Sequence, residues 1–93
     1  MNITIEDLLK KDNINIIDLR NNQSYNNNHI PGSINIPYNN LLASPFKYLD
    51  KTKTYYLYCQ KGITSKKVAS ILNTRGFKTI SIIGGYEEWI LKS

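Results

Sequence analysis

One cysteine occurs among the 93 residues, Cys59, and its setting is the part of the chain best suited to covalent chemistry. In Tyr58-Cys59-Gln60-Lys61-Gly62-Ile63-Thr64-Ser65-Lys66-Lys67, a strand pattern passes through a glycine-containing turn into a helix pattern. Backbone N–H groups of a tight loop and a first helical turn converge on one point. A thiol placed there is favoured as the thiolate, because the anion gains hydrogen bonds and sits at the positive end of the helix dipole. Gly62 admits a backbone shape closed to most residues. Thr64 and Ser65 are expected to cap the helix and to offer hydroxyls to a bound anion, and Lys61, Lys66 and Lys67 add positive potential. The opposing reading takes Cys59 as a small hydrophobe closing a core strand, which is what most lone cysteines are. Position alone leaves both readings open.

Several elements must hold this turn in place. Thr54-Tyr55-Tyr56-Leu57-Tyr58 carries the strongest strand signal. After the turn, Val68, Ala69, Ile71 and Leu72 fall on one helical face, with Gly76 where a helix would end. Upstream, Thr4 precedes a helix start that includes Glu6 and Asp7, and residues 13–19 read as a buried β-branched strand. Residues 21–28 form a polar loop with a short helical turn around Tyr25. Ile30-Pro31-Gly32 is a turn, and residues 33–36 make a short strand that Pro37 ends. Residues 38–50 carry a weak helical pattern interrupted by Pro45. Residues 78–83 form another strand, broken by Gly84-Gly85, and a last helix over 86–92 has Trp89 and Ile90 as its apolar anchors. Strands alternating with helices predict an α/β fold with a mainly parallel sheet covered on both faces. The loop at Cys59 then lies beyond the carboxyl end of its strand, where such sheets place ligands.

The length suits one domain over 1–93 with a single core and a shallow, loop-built site. A hydrophobic content of 41% against 20% charged residues is an ordinary globular balance. The formal charge of +5 favours anionic partners. Scattered lysines, with no interleaved basic and aromatic stretch, argue against nucleic acid as the partner. No apolar run approaches the roughly 20 residues that span a bilayer, and the N-terminus lacks a secretory pattern, so neither membrane nor export is expected. A free thiol suits a reducing compartment, which points to the cytoplasm.

Four segments together resemble the rhodanese-like domain family. Ile16-Ile17-Asp18-Leu19-Arg20 is similar to the family's strand ending in Asp-Val-Arg or Asp-Leu-Arg. Asn28-His29-Ile30-Pro31-Gly32-Ser33-Ile34-Asn35-Ile36-Pro37 resembles its Gly-His-Ile-Pro-Gly-Ala-Ile-Asn-Ile-Pro signature. Cys59-Gln60-Lys61-Gly62-Ile63-Thr64-Ser65 fits its active loop, and Gly84-Gly85-Tyr86-Glu87-Glu88-Trp89 its closing Gly-Gly-x-x-x-Trp motif. The resemblance implies a central five-stranded sheet flanked by helices on both faces. It also implies that Cys59 takes a sulfane sulfur from a donor such as thiosulfate, becomes a persulfide and passes the sulfur on. Gln60, Lys61, Gly62, Ile63, Thr64 and Ser65 would bind the substrate. The partners implied are a small anionic sulfur donor and a thiol, cyanide or protein acceptor, for a monomer without cofactor or metal. Two positions depart from the pattern: Asn28 stands where Gly is usual, and Thr64 where Arg is common.

Other residues read as structural. His29 has no second ligand or paired base, Asp18 and Arg20 suit a loop-organising pair, and Tyr55, Tyr56, Tyr58 and Trp89 suit the core. Two competing functions remain to be weighed. A non-catalytic binding module would keep the fold without the chemistry. A phosphatase or arsenate reductase would need Arg where this chain has Ser65, in a loop one residue longer.

Overall fold

The computed structural model describes residues 1–93 and contains one sheet of five parallel strands. In chain order the elements are β1 (Asn2–Ile3), α1 (Ile5–Leu8), β2 (Asn15–Asp18), α2 (Asn22–Asn27), β3 (Ser33–Asn35), α3 (Tyr38–Ala43), α4 (Pro45–Tyr48), β4 (Thr54–Tyr58), α5 (Ile63–Thr74), β5 (Lys78–Ile82) and α6 (Gly85–Lys92). The strands lie in the order β1-β5-β4-β2-β3, so β4 is central and its carboxyl end opens at the middle of one sheet edge. The architecture is the α/β sandwich expected, with helices on both faces.

The period of two along β4 divides the core. Tyr55 and Leu57 pack against Leu41 of α3 and Val68, Ala69 and Leu72 of α5. Tyr56 and Tyr58 face the other way, onto Ile5 and Leu8 of α1 and Tyr86 of α6. Because β4 is covered on both sides, its side chains after the half-buried Thr54 are all apolar or aromatic rather than alternating with polar ones. No helix is long and apolar enough to cross a membrane.

Caps follow the residue types. Thr4 Oγ1 accepts from the Asp7 N–H at 3.1 Å, as read from the sequence. Gly76, at φ 92°, ends α5 in a Schellman pair: its N–H reaches the Asn73 carbonyl at 3.1 Å and the Phe77 N–H reaches that of Leu72 at 3.1 Å. Pro45 begins a second short helix instead of merely breaking the first.

Several expectations need correction. β1 was not legible; it is two residues long and pairs with β5 at Asn2 and Ser81, Ile3 and Ile82. The helical turn expected around Tyr25 is present and extends to six residues, α2, capped by Asn21 Oδ1 accepting from the Ser24 N–H at 2.8 Å. In α5, Ile71 is 40% exposed, because the helix rests on Val68, Ala69 and Leu72. In α6, Ile90 is exposed; Tyr86 and the partly buried Trp89 are the anchors, three residues apart on one face.

Candidate functional site

The site is assembled from the residues that follow β2, β3 and β4 at their carboxyl ends. Cys59 comes directly after β4 and is buried. Its Sγ accepts two backbone hydrogen bonds, from the Gly62 N–H at 3.1 Å and the Ser65 N–H at 3.3 Å. Gly62 is the N-cap of α5 at φ 92° and no side chain caps the helix. The thiol sulfur therefore takes the place of a capping side chain, at the positive end of a twelve-residue helix. The N–H groups of Gln60 and Lys61 have no acceptor within the protein and remain available.

This alters the expectation for Thr64 and Ser65. Neither hydroxyl caps the helix. The Ser65 side chain is fully buried, and its Oγ pairs with Ser81 Oγ at 2.8 Å, so it ties α5 to β5 and is turned away from any bound anion. Thr64 is half-buried and lines the cleft in front of the sulfur. Gln60, Lys61 and Ile63 are exposed around the mouth.

Two glycines hold the loop from behind. A Cβ on Gly85 would stand 2.4 Å from the Cys59 carbonyl oxygen and 2.9 Å from the Gly62 nitrogen. One on Gly62 would meet the Gly84 nitrogen at 2.8 Å. That close approach lets the first amides of α6 bond the loop: the Tyr86 N–H donates to the Cys59 carbonyl at 2.9 Å and the Glu87 N–H to that of Gln60 at 3.1 Å.

The front wall comes from further along the chain. A cleft of about 530 Å³ opens before Cys59, lined by Leu19, Arg20, Asn21, Ser24, Pro37, Tyr38, Asn39, Gln60 and Thr64. Arg20 binds the fully buried Asp18 carboxylate through Nη2 at 2.7 Å and Nε at 3.1 Å. Its Nη1 donates to Gln60 Oε1 at 3.2 Å, and its guanidinium lies 4.2 Å from the centre of the Tyr86 ring. Burial opposes its charge, but the bonds to Asp18 outweigh that and hold the guanidinium above its ordinary range. The loop-organising pair read from Asp18 and Arg20 is thus present, and Arg20 also brings a cation to the cleft. Asn21, Ser24, Tyr38 and Asn39 were not singled out from the sequence. The rule that ligands gather beyond strand carboxyl ends, applied after β2 and β3 as well as β4, would have found them.

The remaining candidates lie outside the cleft. His29 Nδ1 is 2.8 Å from the Tyr25 carbonyl, and its ring stacks on Tyr25 with centroids 3.8 Å apart. Asn28 is extended at φ −169°, a shape open to any residue, so the missing glycine costs nothing there. Tyr58 Oη accepts from the Ile30 N–H at 3.0 Å and lies 3.2 Å from Ser33 Oγ, whose own proton goes to the Ile30 carbonyl at 2.7 Å. Burial, reinforced by Asp18, pushes the Tyr58 hydroxyl well above its ordinary value, so it stays a neutral donor pinning the 30–33 turn to β4.

Residues 3–92 match the family model described as the rhodanese-like domain. The chain is 39% identical over 84 residues to the thiosulfate sulfurtransferase GlpE of Coxiella burnetii, covering 89% of this chain and 78% of that protein. It is 40% identical over 74 residues to a tRNA sulfurtransferase of Thermoplasma acidophilum, covering 80% of this chain but 14% of that much longer protein. Among solved structures, a rhodanese-related protein of Thermoplasma volcanium superposes with a TM-score of 0.89 at 27% identity, over 99% of this chain and 92% of the other. A rhodanese-like domain protein of Staphylococcus aureus gives 0.82 at 26% identity, over 96% and 91%.

Proposed function

The chain belongs to the rhodanese-like domain family, and on that premise we propose that it is a sulfurtransferase with Cys59 as its nucleophile. The observation that carries this reading is the pair of N–H groups on Sγ, at 3.1 and 3.3 Å, at the floor of an open cleft. A core cysteine has no need of two amide donors and a cation-bearing cleft. A thiolate does, since each charge-assisted bond contributes about 1.5–3 kcal/mol.

The chemistry runs in two displacements. The Cys59 thiolate attacks the sulfane sulfur of a donor such as thiosulfate. A new S–S bond forms, the bond from that sulfur to the sulfonate sulfur breaks, and sulfite leaves with the electron pair. Cyanide or a thiolate then attacks the outer sulfur of the persulfide, and the Cys59 thiolate departs. No net redox partner is required, because the sulfane sulfur carries its oxidation state from donor to acceptor. The unpaired amides of Gln60 and Lys61, with Thr64 and Arg20 on the cleft side, would receive the negative outer sulfur or the departing anion. The acceptor must be external, as no second cysteine exists in the chain to resolve the persulfide.

The test is incubation with thiosulfate followed by mass spectrometry of the intact protein and assay of thiocyanate on adding cyanide. The parent is expected to gain one sulfur atom and lose it to cyanide, and Cys59→Ser to do neither. If Cys59 gains no sulfur, or Cys59→Ser behaves as the parent, the reading fails and the chain is a binding module. The phosphatase alternative loses ground with Ser65, which is buried and bonded to Ser81 where a guanidinium would be needed.

A further inference from the structure

We infer that a groove on the outer flank of α5 docks an acidic, aliphatic segment of the protein that exchanges sulfur with Cys59, an inference that extends the sulfurtransferase reading. The groove exists because α5 covers β4 and β5 but not the edge strand. On the opposite face α1 and α6 close over the sheet, whereas on the α5 side Asn2 of β1 stays exposed beside its register partner Ser81. The opening encloses about 930 Å³.

Its chemistry is specific. Ile63, Ile71 and Ile83 line it at 62%, 40% and 48% exposure, a cluster of large aliphatic groups left in water on one surface. Lys61, Lys66 and Lys67 rim it, none of them joins an ion pair, and no carboxylate lines the groove. Unpaired lysines around an aliphatic strip complement a segment carrying Glu or Asp beside Leu, Ile or Val. The groove contains no aromatic ring on which a base could stack, so its lining suits a polypeptide better than a nucleic acid.

The groove is also continuous with the reaction site. Lys61 and Ile63 line both the groove and the smaller opening directly over Cys59, together with Gln60 and Thr64. A segment lying along α5 therefore crosses the active loop, and a thiol carried near its end meets the sulfur. Small acceptors can reach Cys59 from the open cleft on the other side without touching this surface.

The test is a nuclear magnetic resonance titration of the full chain with a short peptide of Glu and Leu. A Lys and Leu peptide and a single-stranded oligouridine serve as comparison probes. Shift changes are expected to centre on Ser70, Ile71 and Ile83. Affinity for the acidic peptide should fall at least about fivefold in Lys67→Glu and in Ile71→Asp. Ile71→Asp should retain the parent's circular dichroism and its transfer rate to cyanide, since Ile71 lies outside the cleft and adds nothing to the potential at Cys59. The double variant Lys66→Glu with Lys67→Glu should turn to the Lys and Leu peptide. Shift changes centred elsewhere, unchanged affinity in the variants, or tighter binding of the oligouridine would each overturn the inference. The titration reads binding alone, so failure of Cys59 to take up sulfur would sink the catalytic reading and leave this result standing.

Discussion

The starts of α5 and α6 share one local design and serve opposite purposes. Each begins with a glycine N-cap in the left-handed region, Gly62 at φ 92° and Gly84 at φ 80°, and neither has a side chain capping its free amides. At α5 those amides are turned on a sulfur that can become an anion. At α6 they are turned on the neutral carbonyls of Cys59 and Gln60. One helix start supplies potential to the reacting atom; the other fixes the shape of the loop that presents it. The comparison explains why a motif near the C-terminus belongs to a site centred on residue 59. Tyr86 and Glu87 never touch the sulfur, yet they set where its amide donors stand.

The largest expected effect comes from disturbing the shape-holding side. Gly85→Ala puts a Cβ against the Cys59 carbonyl at 2.4 Å and adds a side chain at φ 60°. Together these should cost about 2–4 kcal/mol in stability, read by urea unfolding. Sulfur transfer in the folded fraction should fall at least about tenfold as the loop shifts. Gly32→Ala is the control, having a similar φ of 85° but nothing within 4 Å of the added Cβ. It should lose only about 1 kcal/mol, with no change in rate. If Gly85→Ala lost stability but kept its rate, α6 would be merely a structural neighbour of the loop and the division of labour would fail.

A smaller effect is expected from adding charge on the sulfur-facing side. Thr64 lies on the cleft wall at a position where the family resemblance leads one to expect Arg. Thr64→Arg should lower KM for thiosulfate by about threefold to tenfold, or roughly 0.7–1.4 kcal/mol, and leave kcat and unfolding nearly unchanged. An unchanged KM would show that Arg20 already meets the cationic need of the cleft.

How much of this was open to reading from the sequence follows from the range of the interactions involved. The strand at 54–58, the turn at Cys59, the cap at Thr4 and the stop at Gly76 are set by neighbours within a few residues, and all are found in place. β1 escaped because two residues carry no periodicity, and its strand state exists only through pairing with β5. Ile71 and Ile90 were misplaced because a helical wheel marks an apolar stripe but not how much of it the sheet covers. Ser65 looked like an anion ligand because its partner, Ser81, is sixteen residues away and nothing local announces the contact. The cleft wall at Ser24, Tyr38 and Asn39 was missed for the same reason: topology brings it to Cys59, and residue type does not.

The smallest effect tests whether the far end of α6 takes part in holding the loop. There Lys92 Nζ reaches Glu6 Oε2 of α1 at 3.0 Å. The bond to Lys92 holds the Glu6 carboxyl below its ordinary value of 4.5, and the same bond raises the Lys92 amine. A depressed carboxylate stabilises the fold above its unfolded value and loses that contribution as pH falls through the folded one. The pair should therefore help at neutral pH and fade in acid below about pH 4.5. Both groups are exposed, so the gain is at the small end of surface ion pairs. Comparing Glu6→Gln with the parent by urea unfolding should show a slight deficit at pH 7 that closes by pH 3, with sulfur transfer at pH 7 unaltered. A transfer rate that tracked this pair would mean that tension along α6 reaches the loop through Tyr86 and Glu87, and the shape-holding role would then belong to the whole helix rather than to its first turn.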